Sequence, residues 1–198
     1  MKGRRRYRLG RRAESAEETK RRIVEATFQL HSEQGIAETS MKDIAVRAGV
    51  SVGTVYHHFP SYTDAIVACA SFTAEHAPPP TAAVFAGAAS RQERIARLAR
   101  AVFDFYERVP AVESVRRDQH MSRELEQFAQ EEARNRRALA GEAVGATGPT
   151  ALFAALLDID VYRSLRRQGF GTAEAAERVA TLITLATEPT PGAERRST

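Results

Sequence analysis

One cysteine, Cys69, stands in 198 residues. An intramolecular disulfide is therefore impossible, and a cysteine-based zinc site is not expected. The five histidines are scattered. The adjacent His57 and His58 would point about 100° apart on a helix, so no metal site is expected either. Catalytic punctuation is weak: the G-x-S-x-G string at 49–53 has no strand signal before it to make it an elbow, and the G-x-G at 169–171 follows no strand signal either. Neither an enzyme activity nor a cofactor is expected. No run approaches the ~20 apolar residues that cross a bilayer, and the basic N-terminus has no apolar run behind it. The expectation is a cytoplasmic protein without membrane association. Period-2 alternation is absent, which argues against strands.

What is present is charge, unevenly placed. The chain carries a net +4. Residues 1–60 hold 12 Lys and Arg against 7 Asp and Glu, while residues 61–198 hold 17 against 18. Lys2, Arg4, Arg5, Arg6, Arg8, Arg11 and Arg12 fall within the first dozen, which contains nothing acidic. A basic first third on a neutral body points to a polyanion partner bound at one end.

Helix starts are frequent. Ser15-x-x-Glu18, Ser40-x-x-Asp43, Ser61-x-x-Asp64 and Ser90-x-x-Glu93 have the form of capping boxes. The pattern predicts a first helix over about 16–34, ended by Gly35, and a second from Ser40 to Gly49. A third runs from Ser51 to about His58, and a fourth opens at Ser61. Pro78-Pro79-Pro80 then break the chain. Segment 81–89 reads as a short helix or an apolar loop. Further helices are expected over 91–108, 111–118, 121–140, 150–168 and 173–187, the last capped by Thr172.

Residues 41–59, MKDIAVRAGVSVGTVYHHF, describe two short helices joined at Gly49. Ile44, Ala45, Ala48, Val50 and Val55 stand where a helix-turn-helix needs apolar or small groups, with Ala45 at the close crossing. Ser51, Val52, Gly53, Thr54, Tyr56 and His57 would occupy the outer face of the second helix, small enough to let DNA approach. With the basic first third, this favours a DNA-binding reading over an ordinary helical hairpin.

The run from Gly35 to Ala45, followed by Ala48-Gly49-Val50-Ser51, Gly53-Thr54-Val55-Tyr56, His58-Phe59 and Ser61, resembles the N-terminal domain of the TetR family of bacterial transcriptional regulators. The resemblance covers about residues 19–67; the remainder agrees in length and helical character alone. It implies an all-α chain in which a three-helix DNA-binding domain is followed by a C-terminal helical domain for ligand binding and dimerisation. The expected organisation is a flexible basic arm over 1–14, the helix-turn-helix domain over 15–60, the effector-binding and dimerisation domain over 61–188, and a polar tail over 189–198. The implied partners are double-stranded DNA with a palindromic operator, a second copy of the chain, and a small-molecule effector. One departure stands out. The family usually has lysine after the serine that follows the Phe, and here that residue is Tyr62, so Arg residues of the arm would have to supply the phosphate contact.

Site residues follow position by position. Arg4, Arg5, Arg6 and Arg8 would neutralise phosphates. Thr39 and Ser40 begin the second helix, where hydroxyls and free N–H groups suit a phosphate, with Lys42 nearby. Tyr56 and His57 resemble the family's backbone-contacting pair. Val52, Gly53 and Thr54 would face base edges. The helix has no Arg, Asn or Gln, so readout would depend on thymine methyls, hydroxyls and DNA shape. In the C-terminal body, Phe103, Tyr106, Phe128 and Phe153 are candidates for the effector pocket. The last two helices are apolar over more than one face, and the resemblance puts the dimer interface there, at Leu156, Ile159, Leu182 and Ile183. The expected function is a repressor released from its operator by an effector. The alternative is a non-specific or architectural nucleic-acid-binding protein without effector control.

Overall fold

A computed structural model gives the fold; it describes residues 2–187, with side chains from Glu14 onward. Among these residues there are ten α-helices, two short 3₁₀ turns and no strand. Two compact units emerge, and neither is contiguous in sequence. One comprises Met1–His76 with Ser114–Glu126, the other Ala77–Glu113 with Gln127–Thr198. The division after His76 differs from the boundary expected at residue 60, because the fourth helix belongs with the first three.

In the N-terminal unit, α1 spans Lys2–Glu33. It begins well before the expected residue 16, and the segment expected to be a flexible arm is helical backbone. Nothing between Lys2 and Ser15 stops a helix: arginine favours one, and Gly3 and Gly10 weaken it without blocking it. Ser15 is consequently not a cap. Its carbonyl accepts from the Thr19 hydroxyl at 2.8 Å, and Glu18 pairs with Arg21 at 2.7 Å instead of reaching back. The side chains of Arg4, Arg5, Arg6 and Arg8 lie outside the described residues, as does the expected polar tail.

Helices α2 (Met41–Ala48), α3 (Val52–His58) and α4 (Tyr62–His76) follow. The Ser40–Asp43 capping box is complete, with both reciprocal bonds made. Ser61 and Asp64 form a second: the Asp64 amide donates to Ser61 Oγ at 3.2 Å and the Ser61 amide to Asp64 at 2.8 Å. Ile23, Ala26, Leu30, Met41, Ile44, Ala45, Val55, Phe59 and Ala65 make one core from all four helices. Cys69 is buried, and burial pushes its thiol pKa up to about 12, so it is an inert core residue. The unit is completed by the end of α6 (Ala111–Asp118), a 3₁₀ turn at Gln119–Met121 and the start of α7 (Arg123–Val144).

The C-terminal unit contains α5 (Arg91–Arg108), capped by Ser90, the first residues of α6, most of α7, then α8 (Thr150–Leu156), α9 (Ile159–Arg167) and α10 (Thr172–Thr187). Segment 81–89 contains a 3₁₀ turn at Ala82–Phe85. The single helix expected over 150–168 is broken at Leu157–Asp158. Arg136, almost fully buried, explains the break: it pairs with Asp158 at 2.7 Å and Glu132 at 3.1 Å, and donates to the Ala154 carbonyl at 2.6 Å. Asp158 in turn caps α9 through the Asp160 amide. Thr172 opens α10 but does not cap it; its hydroxyl donates to Glu107 at 3.1 Å.

Candidate nucleic-acid interface

The helix-turn-helix is built from local bonds. Gly49 adopts φ 64°, ψ 40°, the left-handed conformation that glycine enters without steric cost. This turns the chain sharply after α2, and the Val50 amide donates to the Ala45 carbonyl at 3.0 Å. Ala45 is buried, so its small side chain permits the crossing, and Val55 anchors α3 in the core. Ser51 caps α3, accepting from the Thr54 amide at 3.1 Å. Arg47 ties α2 to α1 through Glu33 at 2.7 Å, and Arg22 donates to the Ala48 carbonyl at 3.3 Å.

On α3, Val52, Gly53, Tyr56 and His57 are exposed. They sit at spacings of one, three and four, hence on one helix face. Gly53 has ordinary helical backbone, and a Cβ there would meet nothing closer than Ser51 Oγ at 3.8 Å. Its lack of a side chain thus serves no internal packing and leaves room for an outside partner. Thr54 is half-buried, and its hydroxyl lies 2.8 Å from that of Ser51. Ser40 and Lys42 are exposed at the start of α2.

Thr39 departs from expectation. It is buried, and its hydroxyl donates to the Gly35 carbonyl at 2.7 Å, so it closes the α1–α2 loop and is not available to a phosphate. Tyr62, where lysine was expected, points inward. Its hydroxyl donates to the Ile36 carbonyl at 2.7 Å and lies 2.9 Å from His31 Nε2. With the phenol proton committed to Ile36, Nε2–H is the donor in the second bond. Burial holds the His31 pKa down to about 4, against the opposing pull of Asp118. Asp118 and His31 were not singled out from sequence: a lone Asp distant in the chain and a His on an apolar helix carry no signal of this joint.

The charge on this unit is lopsided. Residues 14–76 hold nine Asp and Glu against five Lys and Arg. Of the five, Arg21 pairs with Glu18 and Glu25, and Arg47 with Glu33. Residues 114–126 add three of each sign, so the unit's net positive charge comes from residues 2–12, with seven basic and no acidic residues.

In the C-terminal unit, two of the expected pocket residues are core. Phe103 and Phe153 are fully enclosed, without exposed surface. Phe128 is half-buried. Tyr106 borders a cleft of about 240 Å³ lined also by Pro110, Glu113, Ile159, Tyr162 and Arg163. Ile159 and Ile183 also depart from expectation: both are buried within their own unit, so they cannot form an interface. Leu156 is half-buried, while Leu182 is 56% exposed and Leu185 60%.

Comparison with known proteins meets the same segment. Residues 23–67 match the family model described as bacterial regulatory proteins, tetR family. The HTH-type transcriptional regulator AcrR of Shigella flexneri is 39% identical over 51 residues, 26% of this chain and 24% of that protein. The HTH-type transcriptional repressor KstR of Mycolicibacterium smegmatis is 38% identical over 55 residues, 28% of this chain and 27% of that protein. The chain thus matches about a quarter of the length of these curated relatives. Solved structures extend the likeness of fold. NalD, the secondary repressor of the MexAB-OprM multidrug efflux pump in Pseudomonas aeruginosa, superimposes with a TM-score of 0.60 at 17% identity, covering 87% of this chain and 97% of that one. The multidrug binding protein EbrR complexed with malachite green gives 0.57 at 21% identity, covering 86% and 98%. Residues 23–67 thus carry a match to the tetR family of bacterial regulatory proteins, and the rest of the chain shares the helical fold of the solved structures.

Proposed function

We propose that this protein is a sequence-specific DNA-binding transcriptional regulator, a homodimeric repressor released from a palindromic operator by a small-molecule effector, and not an enzyme. The observation that carries this reading is the outward face of α3. Val52, Gly53, Tyr56 and His57 are presented on a helix pinned by Val55 and Ala45, in the geometry that enters a major groove. Val52 and Gly53 meet base edges, with Thr54 beside them. Ser51, Tyr56, His57, Ser40 and Lys42 hold the backbone, and Arg4, Arg5, Arg6 and Arg8 neutralise phosphates. Relatives named as regulators and repressors support the assignment.

Leu182 and Leu185 on α10 and Leu152 on α8 are exposed apolar side chains, and with half-buried Leu156 they are the candidates to meet a second copy. The cleft beside Tyr106 is the candidate effector site, with Tyr and Ile side chains below and charged groups at the rim. Selection of binding sequences from a random duplex pool, followed by footprinting, tests the reading. A short palindrome protected by a dimer is expected. Uniform protection without a selected sequence would favour non-specific or architectural binding instead.

A further inference from the structure

The loop between α1 and α2 is held from outside by a residue far away in sequence. Gly35 enters it at φ 96°, Ile36 is buried, and the Thr39 amide donates back to the Ile36 carbonyl at 3.1 Å. Asp118, the last residue of α6, accepts the Ala37 amide proton at 3.0 Å across 81 positions of chain. Arg117 brackets the same carboxylate, from Nε at 2.9 Å and from NH2 at 3.2 Å. One turn earlier, Ser114 donates to the His31 carbonyl at 3.3 Å.

Asp118 is in a costly place. It is 3% exposed, and it sits at a helix C-terminus, where the backbone carbonyls already concentrate negative charge. Its carboxylate does not cap the 3₁₀ turn that follows. Besides the neighbouring Arg117, the bond to the loop is the interaction that reaches beyond its own helix. Burial works to raise its pKa, but Arg117 and the amides of Ala37 and Ile36 outweigh that and keep it ionised.

We infer that Asp118 is a positioning residue of the DNA interface: by holding the Ala37 amide it fixes the loop that delivers Ser40, and with it the N-terminal end of α2, to the phosphate backbone. The inference rests on the DNA-binding reading above. Ser40 follows Ala37 by three residues, and the Thr39 hydroxyl bond to Gly35 makes the intervening turn stiff. A displaced loop therefore moves the cap of α2 directly.

The test uses the full chain, its Asp118→Ala and Asp118→Asn variants, and two probes: the duplex selected from a random pool and a scrambled duplex of equal length. Amide hydrogen exchange is followed at Ala37 in each protein. Removing a charge-assisted bond should cost Asp118→Ala roughly tenfold in affinity for the selected duplex and a similar factor for the scrambled one, since a phosphate contact carries no sequence information. Asn keeps an acceptor oxygen, so Asp118→Asn should recover most of that affinity. The Ala37 amide should exchange faster in Ala than in Asn, while amides of the α3 core stay protected. If Asp118→Ala fails to fold, Asp118→Asn carries the test, since exchange at Ala37 and affinity must then shift together. Faster exchange at Ala37 with unchanged affinity for both duplexes would overturn the inference, as would a loss confined to the selected duplex. If the unaltered protein binds neither duplex, the DNA-binding reading itself fails, and the role of Asp118 falls with it.

Discussion

At the scale of single residues, the neutral state of His31 has a consequence for stability. Its folded pKa of about 4 lies below the ordinary value of 6.5, so the unfolded chain binds the proton more readily. The stability this contributes is complete above about pH 6.5 and is lost as pH falls toward 4, a difference of roughly 3 kcal/mol. Thermal melts at pH 7 and pH 5 should show the decline, and His31→Gln should make it shallower. An equally steep decline in the variant would assign the pH dependence to other groups. On α3, Val52→Ala removes apolar surface from the face proposed to meet bases. It should weaken the selected duplex by about 1–2 kcal/mol and spare scrambled DNA. Tyr56→Phe should weaken both by similar factors, because a phosphate contact carries no sequence information. Titrations of both variants on both duplexes separate the two roles.

At the scale of elements, legibility followed how local the cause was. The α2–α3 pair could be read because its determinants lie within nineteen residues: Ser40 and Asp43 at the cap, Ala45 at the crossing, Gly49 in the turn, Val55 beneath. The start of α1 could not, because a Ser-x-x-Glu pattern carries no force where the preceding residues also favour helix. The break between α8 and α9 was equally hidden, since it is set by Arg136, a residue in α7. Thr39 and Ile183 had the right residue type for a surface role, and burial alone removed them from it. The N-terminal part of α1 bears its own prediction. Without residues 2–12 the unit keeps an excess of acid, so their deletion should weaken binding to every sequence. It should also flatten the log–log salt dependence by up to ~0.9 for each phosphate no longer neutralised. Salt titrations of the shortened and full chains check this; equal slopes would remove the segment from the interface.

At the scale of the whole molecule, assembly and fold can be separated by neighbouring residues of α10. Leu182→Glu places charge on a side chain that is 56% exposed within one chain, so the protomer should fold. If that surface meets a second copy, the charge is buried there unpaired, and sedimentation should report a monomer. Ile183→Glu should instead unfold the protein, since Ile183 has no exposed surface, and circular dichroism would record the disappearance of helix. A Leu182→Glu dimer with unaltered operator affinity would move the interface elsewhere. The non-contiguous N-terminal unit has a bearing on how such proteins can be dissected. Cutting at the three prolines yields a fragment that looks like a complete head but lacks Ser114, Arg117 and Asp118, which belong to it. Such a fragment should melt at lower temperature than the head within the intact chain. A chimaera that transplants residues 1–76 onto another body would inherit α2 and α3 without the outside support of the α1–α2 loop, so modular exchange of heads should require residues 114–126 to travel with them.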